Sequence, residues 1–166
     1  MLREDDNSIF YNRVSQTLVA SLDSTEYEVS TSDKWLFFKA GKPTVEYGWK
    51  VHISSSPQKW EQLLIALADI FKGSGLSFKI PISWEVFKGL NGGYLGDSQV
   101  GKNITVYTET WENSEKFLED VSYLCQDSLA PKIPSDFYID ESSSIAVRYG
   151  EISPQKLTNF FTLFPK

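Results

Sequence analysis

The chain is poor in the residues that build covalent and metal frameworks. Its 166 residues include one cysteine, Cys125, and one histidine, His52. A single cysteine cannot form an intramolecular disulfide, and together with a single histidine it cannot supply the ligands of a Cys/His zinc site. Cys125 follows an apolar pattern of helical spacing and is predicted to be a packed core thiol. A chain of this length is expected to fold as one domain with a substantial hydrophobic core.

Basic residues and long apolar runs are also scarce. The chain has 16 Lys and Arg residues against 22 Asp and Glu residues, a formal net charge of -6. Nucleic acids and anionic membranes attract basic surfaces, so neither is an expected partner. No apolar run reaches the length that a membrane-spanning helix needs, and the acidic start is unlike a signal peptide. We therefore expect a soluble, cytoplasmic protein in which any anion site is a local cluster of cations.

Apolar periodicity switches repeatedly between helix and strand. Helical spacing predicts helices over 5–22, 57–71, 83–90, 113–125 and a short one from Ser153 with Phe160, Phe161 and Phe164 in register. Alternation predicts strands over 35–39, 49–54, 76–82, 103–109 and 144–149. Ser56 is predicted to cap the second helix, with Pro57 at its first position. Alternating strands favour an α+β fold, with a mixed or antiparallel twisted sheet and helices packed on one face.

The strand faces opposite the apolar residues carry basic side chains and the histidine. On the strand over 49–54, Lys50 and His52 share the face opposite Val51. A cation beside a group that titrates near neutrality suits binding a phosphate and protonating it. The candidate site combines residues of these strand faces with Lys102, which directly precedes the strand over 103–109. Its members are Lys50, His52, Lys79, Lys102, Tyr107 and Arg148.

Other interpretations of these residues are weaker but remain open. Each basic residue alone is common on a solvated strand face. Gly101-Lys102 lacks the spacing of a Walker motif. The serine run 54–56 lies near His52, but the sequence shows no convincing acid partner for a hydrolase triad.

A resemblance to a known family rests on four segments that occur in order: Gly48-Trp49-Lys50-Val51-His52-Ile53-Ser54, Phe78-Lys79, 98–107, and Val147-Arg148-Tyr149-Gly150. From about Trp35 to Gly150 the chain resembles the N-terminal lyase domain of class III lanthipeptide synthetases, which is related to bacterial phosphothreonine lyase effectors. The resemblance implies a phosphothreonine-lyase-like fold and β-elimination of phosphate from phosphoserine or phosphothreonine in a precursor peptide. It implies no metal and no cofactor.

The resemblance also implies a domain layout. Residues 1–150 would form the lyase domain, and 151–166 a C-terminal helix or the start of a linker. In the synthetases a kinase domain and a cyclase-like domain follow the lyase; both are absent from this chain and are expected partners, together with the phosphorylated precursor peptide.

Roles follow from the resemblance residue by residue. Lys79 matches the general base and His52 the general acid. Lys50, Lys102 and Arg148 match residues around the phosphate, and Tyr107 matches a tyrosine on the site wall.

One position departs from the effector pattern, in which an arginine lies ten residues before the tyrosine. This chain has Asp97 there. Either Lys102 or another cation compensates for the missing arginine, or phosphate affinity is weaker.

Two alternatives to a lanthipeptide lyase stay open. One is an effector-type phosphothreonine lyase that acts on a protein kinase. The other is a non-catalytic phosphopeptide-binding module that uses the same cations, in which Lys79→Arg would be harmless.

Overall fold

The four described helices overlap those that the apolar spacing predicts over 5–22, 57–71, 83–90 and 113–125. A computed structural model describes residues 4–22 and 26–152, with side chains from Tyr11 onwards except Asn12. Four α-helices are described: α1 (Glu4–Leu22), α2 (Trp60–Phe71), α3 (Trp84–Gly92) and α4 (Trp111–Val121). Within the described part, no helix combines the length and apolarity needed to cross a membrane.

The strands form one seven-stranded sheet in which every pairing is antiparallel. They are β1 (Glu28–Thr31), β2 (Trp35–Lys39), β3 (Tyr47–Ile53), β4 (Ser77–Pro81), β5 (Ile104–Glu109), β6 (Phe137–Tyr138) and β7 (Ile145–Glu151). Their order across the sheet is β1-β2-β4-β5-β3-β7-β6. The predicted α+β fold with an antiparallel sheet is therefore confirmed, and β3 lies between β5 and β7.

The core lies between one face of the sheet and the helices. Side chains two residues apart on a strand share a face, so each strand contributes an alternating apolar set. Val51 on β3, Val106 on β5 and Phe78 on β4 are fully buried in one cluster with Leu67 of α2 and Phe117 of α4. The opposite face of the sheet is therefore left for polar and basic side chains.

Two details of the predicted helices are wrong. Ser56 does not cap α2, which begins at Trp60 after a turn. The Ser56 hydroxyl instead donates a hydrogen bond of 2.7 Å to Asp127. The helix predicted over 113–125 is α4, which ends at Val121 and is followed by a 3-10 turn, so Cys125 is buried just beyond the helical residues.

Two short strands occur where the sequence predicts none, and one predicted helix falls outside the described residues. The short strands β1 and β6 were not predicted, because two to four mostly exposed residues carry no clear alternation. The helix predicted from Ser153 lies outside the described residues. The division of the chain into 1–150 and 151–166 consequently stays a prediction.

A stack of phenylalanines carries much of the core between β4 and α2. Phe78 is 1% exposed, and its ring stacks on Phe71 at 3.7 Å and on Phe38 at 4.5 Å between centroids. Phe78→Ala is expected to lower the free energy of unfolding by about 3–5 kcal/mol, because it removes a large buried ring and leaves a cavity. Urea denaturation followed by tryptophan fluorescence measures the change.

Ile65→Ala is the matched control, since Ile65 is 59% exposed on α2. That substitution is expected to change stability by no more than about 0.5 kcal/mol. A Phe78→Ala variant as stable as the control would contradict this account of the core.

Candidate active site

The register of the central strands brings the predicted residues onto one face. Lys50 on β3 lies opposite Tyr107 on β5 and opposite Arg148 on β7. His52 lies opposite Thr105, and Thr105 in turn lies opposite Lys79 on β4. Directly opposed residues in an antiparallel sheet point to the same face. We call the face that carries Lys79, Tyr107, Lys50, His52 and Arg148 the basic face.

His52 is bound to a carboxylate that lies over the basic face. Its Nδ1 makes a hydrogen bond to the carboxylate of Asp136, and both side chains are almost completely buried. In neutral His52 the Nδ1–H donates to this carboxylate, which leaves Nε2 as the nitrogen that can take up a second proton. Asp136 could not be predicted from the sequence, because it lies in a loop whose residues show no periodicity.

The loop that carries Asp136 is fixed against the end of β3. Ser54 donates a hydrogen bond of 2.6 Å to the carbonyl of Pro131, and the backbone N–H of Ile133 donates to the hydroxyl of Tyr138 at 2.7 Å. Tyr138 belongs to β6, which directly follows Asp136. These contacts place the carboxylate over His52.

Gly101 allows a second loop to approach the Asp136 loop closely. Its φ is +75°, and a Cβ at this position would lie 2.9 Å from the carbonyl oxygen of Pro131 and 3.1 Å from the hydroxyl of Ser54. A side chain here would collide with backbone in a conformation that already favours glycine. Gly101 therefore lets Lys102 enter the site next to Asp136.

A buried network of hydrogen bonds fixes the backbone next to Lys102. The next residue, Asn103, accepts a hydrogen bond from the backbone of Ser55 and donates one to the side chain of Asn91, each 2.9 Å long. Asn91 in turn donates to the carbonyl of Ser55 at 2.8 Å. The three residues satisfy one another in the interior, as buried polar groups must. Lys102 itself is 6% exposed.

Burial and charge set the protonation states around His52. Burial lowers the pKa of His52 to about 4; Asp136 opposes this shift, and Lys102 and Lys50 add to it. Burial also lowers the pKa of Lys102, against the attraction of Asp136, and Arg148 lowers it further. His52 is therefore neutral at pH 7 in the free protein.

Asp136 is ionised in this setting. Burial raises its pKa, but the hydrogen bond with His52 and the positive charge of Lys102 outweigh burial and hold the pKa below the usual value. The cluster therefore holds one carboxylate against several cations, and an incoming dianion would meet a net positive field.

Lys50 and Arg148 extend the cluster toward solvent. The ammonium of Lys50 donates a hydrogen bond of 3.2 Å to the carbonyl of Glu151, and it lies over Gly150, where a Cβ would be 3.7 Å away. Arg148 is exposed at the rim. The charges of Lys50 and Lys102 act on His52, and Arg148 lies opposite Lys50 and acts on Lys102.

Lys79 lies on the other side of His52, two strands away. Its Nζ is 4.0 Å from the centroid of the Trp35 ring, a cation–π contact. Thr105 lies between Lys79 and His52 in the sheet, and Tyr107 lies between Ser77 and Lys50. Burial raises the pKa of the Tyr107 phenol, so the hydroxyl keeps its proton.

Asp97 and the serine run 54–56, which the sequence analysis also considered, do not contribute a side chain to the site. Asp97 is exposed in the 3-10 turn Asp97–Gln99. The hydroxyls of Ser54, Ser55 and Ser56 bond to Pro131, to the Ser56 carbonyl and to Asp127 respectively. None of these three bonds reaches His52, and the arrangement therefore does not favour a serine hydrolase.

Solved structures and a protein family that resemble this chain were found by comparison with known proteins. No curated protein sequence matches the chain. The phosphothreonine lyase SpvC, an effector protein from Salmonella, has a similar structure with a TM-score of 0.54 at 15% identity, over 75% of this chain and 69% of that one. The type III effector and phosphothreonine lyase OspF from Shigella flexneri has a TM-score of 0.56 at 13% identity, over 98% of this chain and 99% of that one.

At these identities the structural likeness establishes the fold, which is that of the phosphothreonine lyases. The profile of the family described as "RamC, N-terminal domain" matches residues 15–162, nearly nine tenths of the chain. This match confirms the resemblance seen in the sequence. The chain belongs to the RamC N-terminal domain family.

Proposed function

We propose that this chain is a carbon–oxygen lyase that eliminates phosphate from phosphoserine or phosphothreonine in a peptide. One observation carries the proposal: the basic face holds a lysine, Lys79, and a carboxylate-bound histidine, His52, on opposite sides of one site, with the cations beside the histidine. Elimination needs a base at one end of the reacting unit and an acid at the other. The shared fold of the phosphothreonine lyases supports the same reaction.

The proposed chemistry breaks two bonds and forms a double bond. Lys79 first loses its own proton to solvent, and the neutral amine then takes the proton from Cα. The electron pair forms the Cα–Cβ double bond, and the Cβ–O bond breaks. The phosphate leaves with a proton from His52. The products are dehydroalanine or dehydrobutyrine and inorganic phosphate, so atoms and charge balance without a redox partner or a metal.

Charge that develops on the substrate amide oxygen needs a hydrogen-bond donor. Tyr107 supplies one, because burial keeps its phenol protonated. Lys50, directly opposite Tyr107 on the neighbouring strand, supplies a positive charge at the same level of the sheet.

His52 gains its proton when the phosphate binds. In the free protein burial and two cations keep the imidazole neutral. A bound phosphate dianion offsets the charges of Lys50, Lys102 and Arg148 and raises the pKa of His52 in the complex. The acid is therefore charged in the state that needs it, and Asp136 holds the ring and stabilises the imidazolium.

The proposed substrate is a phosphorylated lanthipeptide precursor. The family match and the Gly-Trp-Lys-Val-His-Ile-Ser segment of β3 favour this class over a host protein kinase. In this proposal a kinase domain of the same synthetase supplies the phosphorylated residue. Phosphopeptide binding without catalysis is the second candidate, which the cations of the basic face alone would support.

Lys79 provides the test that separates an enzyme from a binder. The wild-type chain, incubated with a synthetic phosphoserine peptide without metal or nucleotide, is expected to give a product lighter by about 98 Da, the mass of phosphoric acid, which adds a thiol. Lys79→Ala and Lys79→Arg are expected to lower kcat at least about 100-fold, because neither side chain supplies a neutral amine. Mass spectrometry measures both rates.

Lys116→Ala is the matched control, since Lys116 is exposed on α4 in the helical layer. It is expected to eliminate phosphate at the wild-type rate. Elimination by Lys79→Arg at that rate would refute the assignment of the base, and a product with its hydroxyl restored would identify a phosphatase instead.

Asp136→Asn tests the acid through its pH dependence. The carboxylate raises the pKa of His52, so its removal lowers that pKa in the substrate complex. The fall of kcat on the alkaline side of the pH profile, where His52 loses its proton, is expected to move to lower pH by about 1–3 units. A merely structural role would lower kcat at every pH and leave the shape of the profile unchanged.

A further inference from the structure

An aromatic strip borders the basic face on β2, on the side of Lys79 away from β3 and β7. Trp35 and Phe37 lie on β2 and point to the same face as Lys79, while Leu36 and Phe38 between and beyond them are buried in the core. Both strip residues are only half-buried. We call Trp35 and Phe37 the aromatic strip.

The strip is in direct contact with the proposed base. Phe37 lies directly opposite Lys79 in the β2–β4 pairing, and the Lys79 ammonium lies over the Trp35 ring. On its outer side, Phe37 lies opposite Ser30 of the edge strand β1, which is exposed. The aromatic strip therefore forms an apolar surface between Lys79 and the edge strand β1.

A peptide whose reacting Cα lies at Lys79 has the aromatic strip within reach of a neighbouring residue. The reacting Cα has to lie within about 3.5 Å of the Lys79 nitrogen, and the next Cα along a peptide is 3.8 Å further on. The phosphate is drawn across the sheet toward Lys50 on β3 and Arg148 on β7, away from β2. A side chain beside the phosphorylated residue on the β2 side of Lys79 therefore meets the rings of Trp35 and Phe37.

We propose that the aromatic strip is a specificity subsite that selects phosphopeptides with an apolar residue next to the phosphorylated one. The inference rests on the proposed lyase function and names the substrate class within it. A leucine or isoleucine side chain loses contact with water against the two rings, whereas the amide of a glutamine would be desolvated there with the indole N–H of Trp35 as the one donor that the two rings offer.

Synthetic phosphoserine peptides that differ only beside the phosphoserine test the subsite. Leu and Gln are compared at the preceding and at the following position, and elimination is measured by mass spectrometry. At one of the two positions, Leu is expected to raise kcat/KM at least about tenfold over Gln, the effect of burying part of one apolar side chain. Equal kcat/KM values at both positions would overturn the subsite.

Substitutions at Phe37 assign the preference to the strip. Phe37→Gln is expected to bring the Leu-to-Gln ratio close to one, and Phe37→Leu, which keeps an apolar surface, is expected to retain it. Ile65→Ala, at an exposed position on α2, is the matched control and keeps the wild-type ratio. A ratio that survives Phe37→Gln would also overturn the proposal.

Binding of the same peptides separates this proposal from the proposed function. If no peptide is eliminated, the lyase proposal fails, and the dissociation constants then decide the subsite alone. At least about tenfold tighter binding of the Leu peptide, lost in Phe37→Gln, would support the strip, and equal dissociation constants would overturn it.

Discussion

The register of β3 between β5 and β7 is the constraint on which the site depends. A shift by one residue would turn Lys50 and His52 into the core and bring Val51 and Ile53 to the basic face. Burial of the apolar set thus fixes the position of the chemistry. The burial of apolar side chains that stabilises the sheet therefore also keeps Lys50 and His52 on the basic face.

A β-bulge and a close backbone approach mark this register at one end of β3. The pairing shifts between Trp49 and Lys50, where β5 has one extra residue, and Glu109 adopts a φ of 67°. A Cβ on Gly48 would lie 2.6 Å from the carbonyl of Glu109, so only glycine fits without displacement of backbone. The glycine that precedes Trp49 in the family segment has a structural reason there, since it lets β5 pass closely at the bulge.

Alternation made the strand residues of the site predictable, because the side chain that faces away from the core can be read directly from a two-residue period. Lys50, His52, Lys79, Tyr107 and Arg148 lie on the face that the sequence predicted. Asp136 was out of reach, because its position depends on loop contacts such as that between Ser54 and Pro131, which lie far apart in sequence. The predicted cap at Ser56 was wrong for a related reason. A serine before a proline is typical of a helix N-cap, but the Ser56 hydroxyl donates its hydrogen bond to Asp127, 71 residues away in sequence. The face on which a strand side chain lies could thus be predicted, whereas the loop position of Asp136 could not.

If His52 acts as the proposed acid, it lies in a phosphate site, is neutral at rest and takes up a proton when a dianion binds. Because the chain has one histidine, the imidazole signals of His52 can be followed by NMR without assignment of any other residue. We expect a pKa of about 4 in the free protein and a rise of at least about one unit on saturation with a phosphoserine peptide, measured with Lys79→Ala so that the peptide stays intact. An ordinary pKa near 6.5 that the phosphopeptide leaves unchanged would contradict it.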